Sequence, residues 1–471
     1  MSIKFIFIYL LIWSGAVYGQ DKFGALHSNY SPTNSVHINP TSMLDAKTWL
    51  DIHIVGLGSY VNNNLLAIEN TSALALARGQ EITVDQLTFN DNRNNYHVYN
   101  RNDVSALSVI LSQGDHAFGL SFQGQSFVDL RRLNSSISEP LSRLLSGDSI
   151  HDFSNFDLNN LKANGISYGE VKISYAYTFK KINRDMFMIG VSVKKLFPIV
   201  GAAGKVSEAN YQILQNNDVF INRFVGDIMY SQSPSFTLKG GVGLDLGFTY
   251  QKMKDRSSTY FPNSSRNGCT PKFYRYKIGV SIIDIGRLKL ENTDPETYAV
   301  DERDLTISEN TLSSVNTGTA EGAINNPTKI GLPTALSVQL DFNVWENKFY
   351  INGTLTHGIP PFINSFGVRR ASSLSVTPRF ETKWFDIAVP FSLYEYSRPQ
   401  MGFSLRLYSL TIGTDKLWST LVRSNMYGAD IYAQLKVPLF KNPACKEKNG
   451  RSKSRSGKRK HKKRKVCAAY R

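Results

Sequence analysis

The chain has 471 residues, of which 41% are hydrophobic, 12% aromatic and only 20% charged, and its formal net charge is +16. A mean hydropathy of -0.25 and the lack of any apolar run of about 20 residues exclude a bundle of membrane helices. The 23 Tyr and 27 Phe call for a large soluble core or the aromatic girdles of a membrane barrel.

Residues 1–19 read as a secretory leader. Lys4 precedes the apolar run Phe5 to Val17, and the small residues Gly15, Ala16 and Gly19 follow, so cleavage is expected after Gly19. The run is too short for a spanning anchor, and no cysteine near the cut supports lipoprotein processing. An exported chain without a second long apolar segment enters a membrane only as a closed sheet.

Residues 20–440 carry the alternation such a sheet needs. In 170–179, Val171, Ile173, Tyr175, Tyr177 and Phe179 oppose Lys172, Ser174, Ala176 and Thr178. The same period of two returns in 186–194, 241–250, 274–282 and 335–344, and on both sides of the turn Gln113-Gly114-Asp115. A soluble sandwich alternates too. The Gly, Ser, Thr and single charges of the polar face, and connections that switch between tight turns and long polar loops, favour a barrel. The expected fold is all-β: a transmembrane antiparallel β-barrel of about fourteen strands, with a range of twelve to sixteen. The strands are placed near 48–60, 93–112, 115–130, 168–180, 186–198, 238–252, 273–285, 334–344, 348–358, 372–381, 384–396, 400–408, 410–414 and 429–440. A hairpin at 208–215 and 218–230 would raise the count to sixteen. An even count puts both termini in the periplasm. The long loops are 61–92, 131–167, 291–333 and 358–371. Within one of them, Leu141, Leu144 and Leu145, and then Phe156, Leu158 and Leu161, predict short helices over 137–146 and 155–163.

On that parity Lys172, Lys194, Arg275, Lys277, Arg406 and Lys436 fall on the lumen face with Asp245 and Asp341. They would bias an open lumen toward anions, and they fit a filled, salt-bridged plug equally well. Asp284 and Asp415 read as turn caps or acceptors of backbone amides, and Gly279, Gly286, Gly402 and Gly413 as bends or close backbone approaches. Leu439-Phe440 ends the last strand, with Phe440 on the lumen parity.

Three stretches suggest a family. His37-Ile38-Asn39-Pro40-Thr41-Ser42-Met43 resembles the Asn-Pro-Ala segment ahead of the first strand in long-chain fatty-acid-transporter-like barrels, with Thr41 in place of Ala. Lys277 to Arg287, and Gly402 to Leu407 with Leu410 to Leu417 and Gly428 to Ala433, resemble a Bacteroidota family of outer-membrane barrels of unknown function, similar in shape to those transporters. The resemblance spans roughly 20–440. It implies a structural wall and brings no active residue with it.

Residues 441–471 differ in kind. They hold 14 Lys or Arg and one acid, Glu447, for +13 of the +16. Such a block reads as a disordered interaction tail. Its core is Arg451, Lys453, Arg455, Lys458, Arg459, Lys460, Lys462, Lys463, Arg464 and Lys465. The leader excludes nucleic acid as its partner and leaves outer-membrane lipid, peptidoglycan or an acidic periplasmic protein. Cys445 and Cys467 bracket the run, and a disulfide between them is permitted in an oxidising compartment. The third cysteine, Cys269, leaves an odd thiol. No zinc spacing, phosphate-binding loop, dinucleotide fingerprint or nucleophile elbow is present, so no catalytic residue, metal or cofactor is expected. The sequence points to a non-enzymatic scaffold or anchor whose basic tail engages an anionic periplasmic partner. The alternative is a passive channel for small or hydrophobic solutes.

Overall fold

The computed structural model describes residues 22–90, 95–134, 155–214, 219–231, 239–267, 270–290, 295–307, 329–360 and 366–445. The strands are β1 Leu50–Asn63, β2 Leu66–Thr71, β3 Leu87–Phe89, β4 Tyr96–Gln113, β5 His116–Leu133, β6 Asn155–Ile182, β7 Asp185–Ile213, β8 Val219–Ser231, β9 Gly241–Met253, β10 Tyr274–Lys289 and β11 Pro295–Ile307. They continue with β12 Lys329–Gly331, β13 Ala335–Trp345, β14 Phe349–Gly358, β15 Ser373–Glu381, β16 Phe385–Ala388, β17 Phe391–Tyr394, β18 Arg398–Met401, β19 Phe403–Leu407, β20 Leu410–Thr414, β21 Ser424–Met426 and β22 Asp430–Leu439.

Among the described residues the strands pair antiparallel, and β22 closes onto β1 from Leu50↔Leu439 to Val55↔Leu435. The circuit runs β1, β4, β5, β6, β7, β9, β10, β13, β14, β15, then β16 with β17, β18 with β19, β20 and β22. Strands β16 and β17 form one wall strand broken at Val389-Pro390, and β18 and β19 another broken at Gly402. With β12 leading into β13, the closed barrel has fourteen wall strands, as the sequence predicts. Alternation follows the period of two. In β13, Ala335, Ser337, Gln339, Asp341 and Asn343 are buried while Leu340, Phe342 and Val344 are exposed.

Three expectations fail, each because a cross-strand partner overrides local pattern. Residues 155–163 are strand, not helix: Phe156 pairs with Tyr211 and Leu158 with Ala209, and the Phe156 and Tyr211 rings stack at 5.4 Å. There burial pushes the Tyr211 phenol up to about 12. The hairpin at 208–215 and 218–230 does not enlarge the barrel. The foot of β7 pairs with β9, and its upper half pairs with β8 instead. The loop at 291–333 contains a full strand, β11, paired along its length with β8 from Pro295↔Ser231 to Ile307↔Val219. Strands β6 and β7 have 28 and 29 residues, about 90 Å at roughly 3.3 Å per residue, against an apolar band about 25 Å tall in such barrels. Their upper halves with β8 and β11 form an arm beyond the barrel. The loop at 61–92 likewise holds β2, β3 and helix α3, Ala73–Ala77, and β2 pairs with β3 and β21 in a small separate sheet. The helix expected over 137–146 lies outside the described residues.

The outer face carries a continuous set of exposed apolar side chains, from Ile173 at 64% and Val242 at 58% to Leu340, Phe342, Ile387, Ile412 and Val437. Exposed Trp345, Trp384 and Tyr408 cluster at the end with the tight turns. An apolar belt edged with aromatics is a surface made for lipid.

Candidate functional site

The lumen is filled by the chain's own N-terminal segment. Residues 22–48 fold as helix α1 Phe23–Leu26, helix α2 Pro32–Ser35 and a 3-10 turn Pro40–Met43, nearly all buried. The segment descends from the loop end at Lys22 to the turn end at Tyr30, rises to Ile38 and descends again into β1. Its apolar residues meet two inward clusters. Phe23, Leu26 and Ile38 pack with Tyr60, Tyr99, Phe127, Tyr168, Leu288, Ile330 and Tyr394 toward the loop end. Val36, Met43 and Leu44 pack with Ile110, Met186, Met253, Tyr260 and Tyr350 toward the turn end.

Polar latches then fix the segment. At the turn end Asn29 is held by one carboxylate, donating its side-chain amide to Glu381 Oε1 and its backbone N–H to Oε2 at 3.2 Å. Arg379 bridges Glu381 at 3.2 Å and Asp341 at 2.8 Å, and Tyr274 donates to Asp341 at 2.6 Å. Ser28 donates to Asp386 at 2.5 Å, a carboxylate that Arg406 grips through Nε and a terminal nitrogen. Lys436 reaches Ser31 Oγ at 2.8 Å and the Tyr30 carbonyl, and Asp51 accepts from the Thr33 hydroxyl at 2.8 Å. Higher up, Lys22 pairs with Asp103 at 2.6 Å, the Phe23 amide donates to Asp415 at 2.9 Å, and Lys172 donates to His37 Nδ1 at 2.6 Å.

Between these tiers Asn39-Pro40-Thr41 lies against three wall glycines on adjacent strands. A Cβ on Gly247 would stand 2.2 Å from Asn39 Oδ1, one on Gly279 2.9 Å from Asn39 Nδ2, and one on Gly190 2.8 Å from the Thr41 amide. Gly190 and Gly247 face each other across β7 and β9. The missing side chains make the trough that lets a backbone turn approach a strand surface. Asn39 caps the turn by accepting the Thr41 amide at 3.0 Å, and its Nδ2 donates to Gln339 at 2.9 Å. Thr41, where the transporter-like segment has Ala, donates its hydroxyl to Asn39 or Thr249.

Of the charges expected on the lumen face, Lys172, Lys194, Lys277, Arg406, Lys436, Asp245 and Asp341 point inward, each toward a partner: Lys194 pairs with Asp245 at 2.8 Å and Lys277 with Asp341 at 3.5 Å. Arg275 does not. A register shift against β9 between Tyr274 and Tyr276 turns Tyr274 inward and leaves Arg275 exposed. Asp284 is no simple turn cap. It sits at a second shift, with φ +58°, and its carboxylate takes Lys194 at 2.5 Å and Arg370 at 3.1 Å. Asp415 accepts a backbone amide as expected. Phe440 keeps the lumen parity because it packs edge-on against Tyr30 of the plug at 6.0 Å. The wall also presents Asp51, Asp103, Asp129, Glu170, Glu381 and Asp386, so the expected anion bias gives way to matched charge. Sequence reasoning allowed a salt-bridged plug without assigning one to residues 22–48, and it missed those acids and Arg379. The run Ser373, Ser375, Thr377, Arg379, Glu381 held the signal for two of them. Cys445 is disulfide-bonded. Cys269, Cys467 and the tail core lie outside the described residues.

Cavities between plug and wall are small. One of about 50 Å³ lies among Asn29, Asn39, Gln251 and Asn352, and one of about 40 Å³ among Asn34, His53, Arg101 and Gln434. Each holds a few waters at most. Among the described residues no cluster of three or more His, Cys, Asp or Glu could hold a metal ion.

A model of a family of unknown function, DUF5723, matches residues 40–415. No curated protein matches the chain. Among solved structures, the chain is similar to a deltaS2S3 mutant of the TodX monoaromatic hydrocarbon channel, at 8% identity over 86% of this chain and 93% of that one, with a TM-score of 0.28. It is also similar to a FadL homologue from Pseudomonas aeruginosa, at 8% identity over 90% and 94%, with a TM-score of 0.21. Identities of this size transfer no residue's role.

Proposed function

The chain belongs to the DUF5723 family of unknown function, and from that premise we propose that it is a gated outer-membrane channel for small solutes whose gate is its own segment 22–48. One observation carries the reading: the lumen is occupied by residues 22–48, a contiguous piece of chain that runs directly into β1. The wall meets that piece with hydrogen bonds to Ser28, Asn29, Ser31, Thr33 and Asn39 and with the two apolar clusters around Phe23 and Met43. Departure of the segment would break those contacts but no strand pairing of the wall, whose own ladder is complete around the turn end. In this reading the tight-turn end, where β22 exits, faces the periplasm. Passage is hydrophilic at that end, past paired charges, and aromatic at the loop end, past Tyr60, Tyr99 and Phe127.

The gate is tested by locking it. Ser28 and Asp386 touch, so Ser28→Cys with Asp386→Cys, oxidised in the folded protein, pins the plug. Flux of a small solute into proteoliposomes should fall to the protein-free level and return on reduction. Undiminished flux through the locked barrel would contradict a moving plug.

The basic tail supports a second role at the same mouth. Residues 441–471, which follow β22 in the sequence, carry a charge of +13, and we propose that they tether the channel to an anionic periplasmic polymer or protein by salt-sensitive attraction.

A further inference from the structure

The barrel wall is not β-sheet all the way round. The thirteenth wall strand, β20, stops at Thr414 after pairing with β19 as far as Phe403↔Thr414 and with β22 as far as Gly413↔Tyr432. Above it, β18 pairs with β17 alone, and no strand stands between β18 and the start of β22. Helix α4, Leu417–Leu421, fills that gap. Its buried Thr420 ties it to both sides, sharing a hydrogen bond with the Thr414 hydroxyl at 3.0 Å and donating to the Asp430 carbonyl at 2.8 Å. On the lumen side Lys416 donates to the Val61 carbonyl at 2.9 Å and to Asn62 at 2.8 Å. Helix α3 packs against α4 from outside the barrel circuit.

The outward face of this panel is apolar. Trp418 is 57% exposed, Leu421 51%, Val422 44% and Leu74 37%. It continues upward the belt residues Ile412 and Ile431, which are also exposed. An exposed indole among aliphatic residues at the upper margin of a lipid belt suits the membrane interface, where its ring is half buried and its N–H wet. Two exposed arginines border the panel: Arg78 at the end of α3 and Arg423 directly after Val422.

We infer that α3 and α4 form a lipid-docking panel in the barrel wall, taking the acyl chains of a membrane lipid on Leu74, Trp418, Leu421 and Val422 and its anionic headgroup on Arg78 and Arg423. The inference rests on residence in a membrane and not on the plug being a gate. Continuity with the belt commits the occupant to lipid. A soluble partner would have no reason to meet a surface contiguous with Ile412 and Ile431.

The test uses residues 20–471 refolded into phosphatidylcholine vesicles, which leaves out Trp13, with Trp49, Trp345 and Trp384 changed to Phe so that Trp418 is the emitter. Replacing half the lipid by a dibrominated phosphatidylcholine should quench Trp418 emission by about half, while aqueous acrylamide quenches it weakly, as for an interfacial indole. Strong acrylamide quenching without bromolipid quenching would overturn the panel. If the triple variant does not fold, the native protein is compared with Trp418→Phe, and the bromolipid-sensitive emission must fall with Trp418. Native mass spectrometry from mixed phosphatidylglycerol and phosphatidylcholine micelles tests the headgroup. Arg78→Gln with Arg423→Gln should lower retained phosphatidylglycerol roughly tenfold. Unchanged retention would overturn the charged half of the site. Neither outcome depends on flux, so failure here and failure of the gate are separable.

Discussion

At the residue scale the plug is held by side chains of the wall, with the Glu381 carboxyl at the centre of the turn-end latch. Glu381 serves Asn29 twice and Arg379 once, and each such charge-assisted bond contributes about 1.5–3 kcal/mol. Glu381→Gln should therefore release the plug before it harms the barrel, and single-channel recordings should show more frequent openings with the melting temperature nearly unchanged. Arg379→Met acts differently. It removes the cation shared by Asp341 and Glu381, both buried, leaving Asp341 to Lys277 and Tyr274 and Glu381 to Asn29, and should destabilise the fold by about 3 kcal/mol, read as a lower temperature for loss of heat-modifiable gel mobility. Gly247→Ala probes the trough. Its methyl would displace Asn39, so protease cleavage within 22–48 should speed up while the barrel core resists. Equal cleavage rates would mean that the turn adapts. The inward charges were legible from parity wherever a strand is regular, as in β6 for Lys172 and β13 for Asp341. They were illegible where a register shift intervenes, which is why Arg275 lies outside and Asp284 became a hub.

At the element scale the wall strands were readable because lipid and lumen impose opposite demands on alternate residues. Strand β11 was not, since Pro-Glu-Thr-Tyr-Ala-Val-Asp-Glu-Arg-Asp-Leu has no apolar face of period two, and its partner β8 decides its conformation. That residues 22–48 form the plug escaped for a related reason: helices of four residues have too few turns to show a period, and many of the segment's polar residues find partners on the wall. The arm is built on the upper half of β7, while the lower half closes the barrel through β9. Replacing the arm from 203 to 238 by a short turn, together with removal of 295–307, should leave a heat-modifiable barrel with unchanged conductance. Loss of folding would show that the arm nucleates the wall.

At the scale of the whole molecule, a nearly neutral barrel has the plug, residues 22–48, directly ahead of β1 and a strongly basic segment directly after β22, and both join the wall at the tight-turn end. Deleting residues 446–471 should abolish salt-sensitive retention on an anionic periplasmic fraction and leave conductance alone, because the charge lies beyond the closing strand. The central claim is that residues 22–48 alone close the lumen. Conductance of a variant lacking residues 22–46, with residues 1–21 and β1 retained, tests it most directly in a planar bilayer. The account predicts a steady open channel with little preference for anion or cation, matching the balanced wall, where the intact protein is closed most of the time. A plug-less barrel that folds but carries no more current than the intact protein would contradict it.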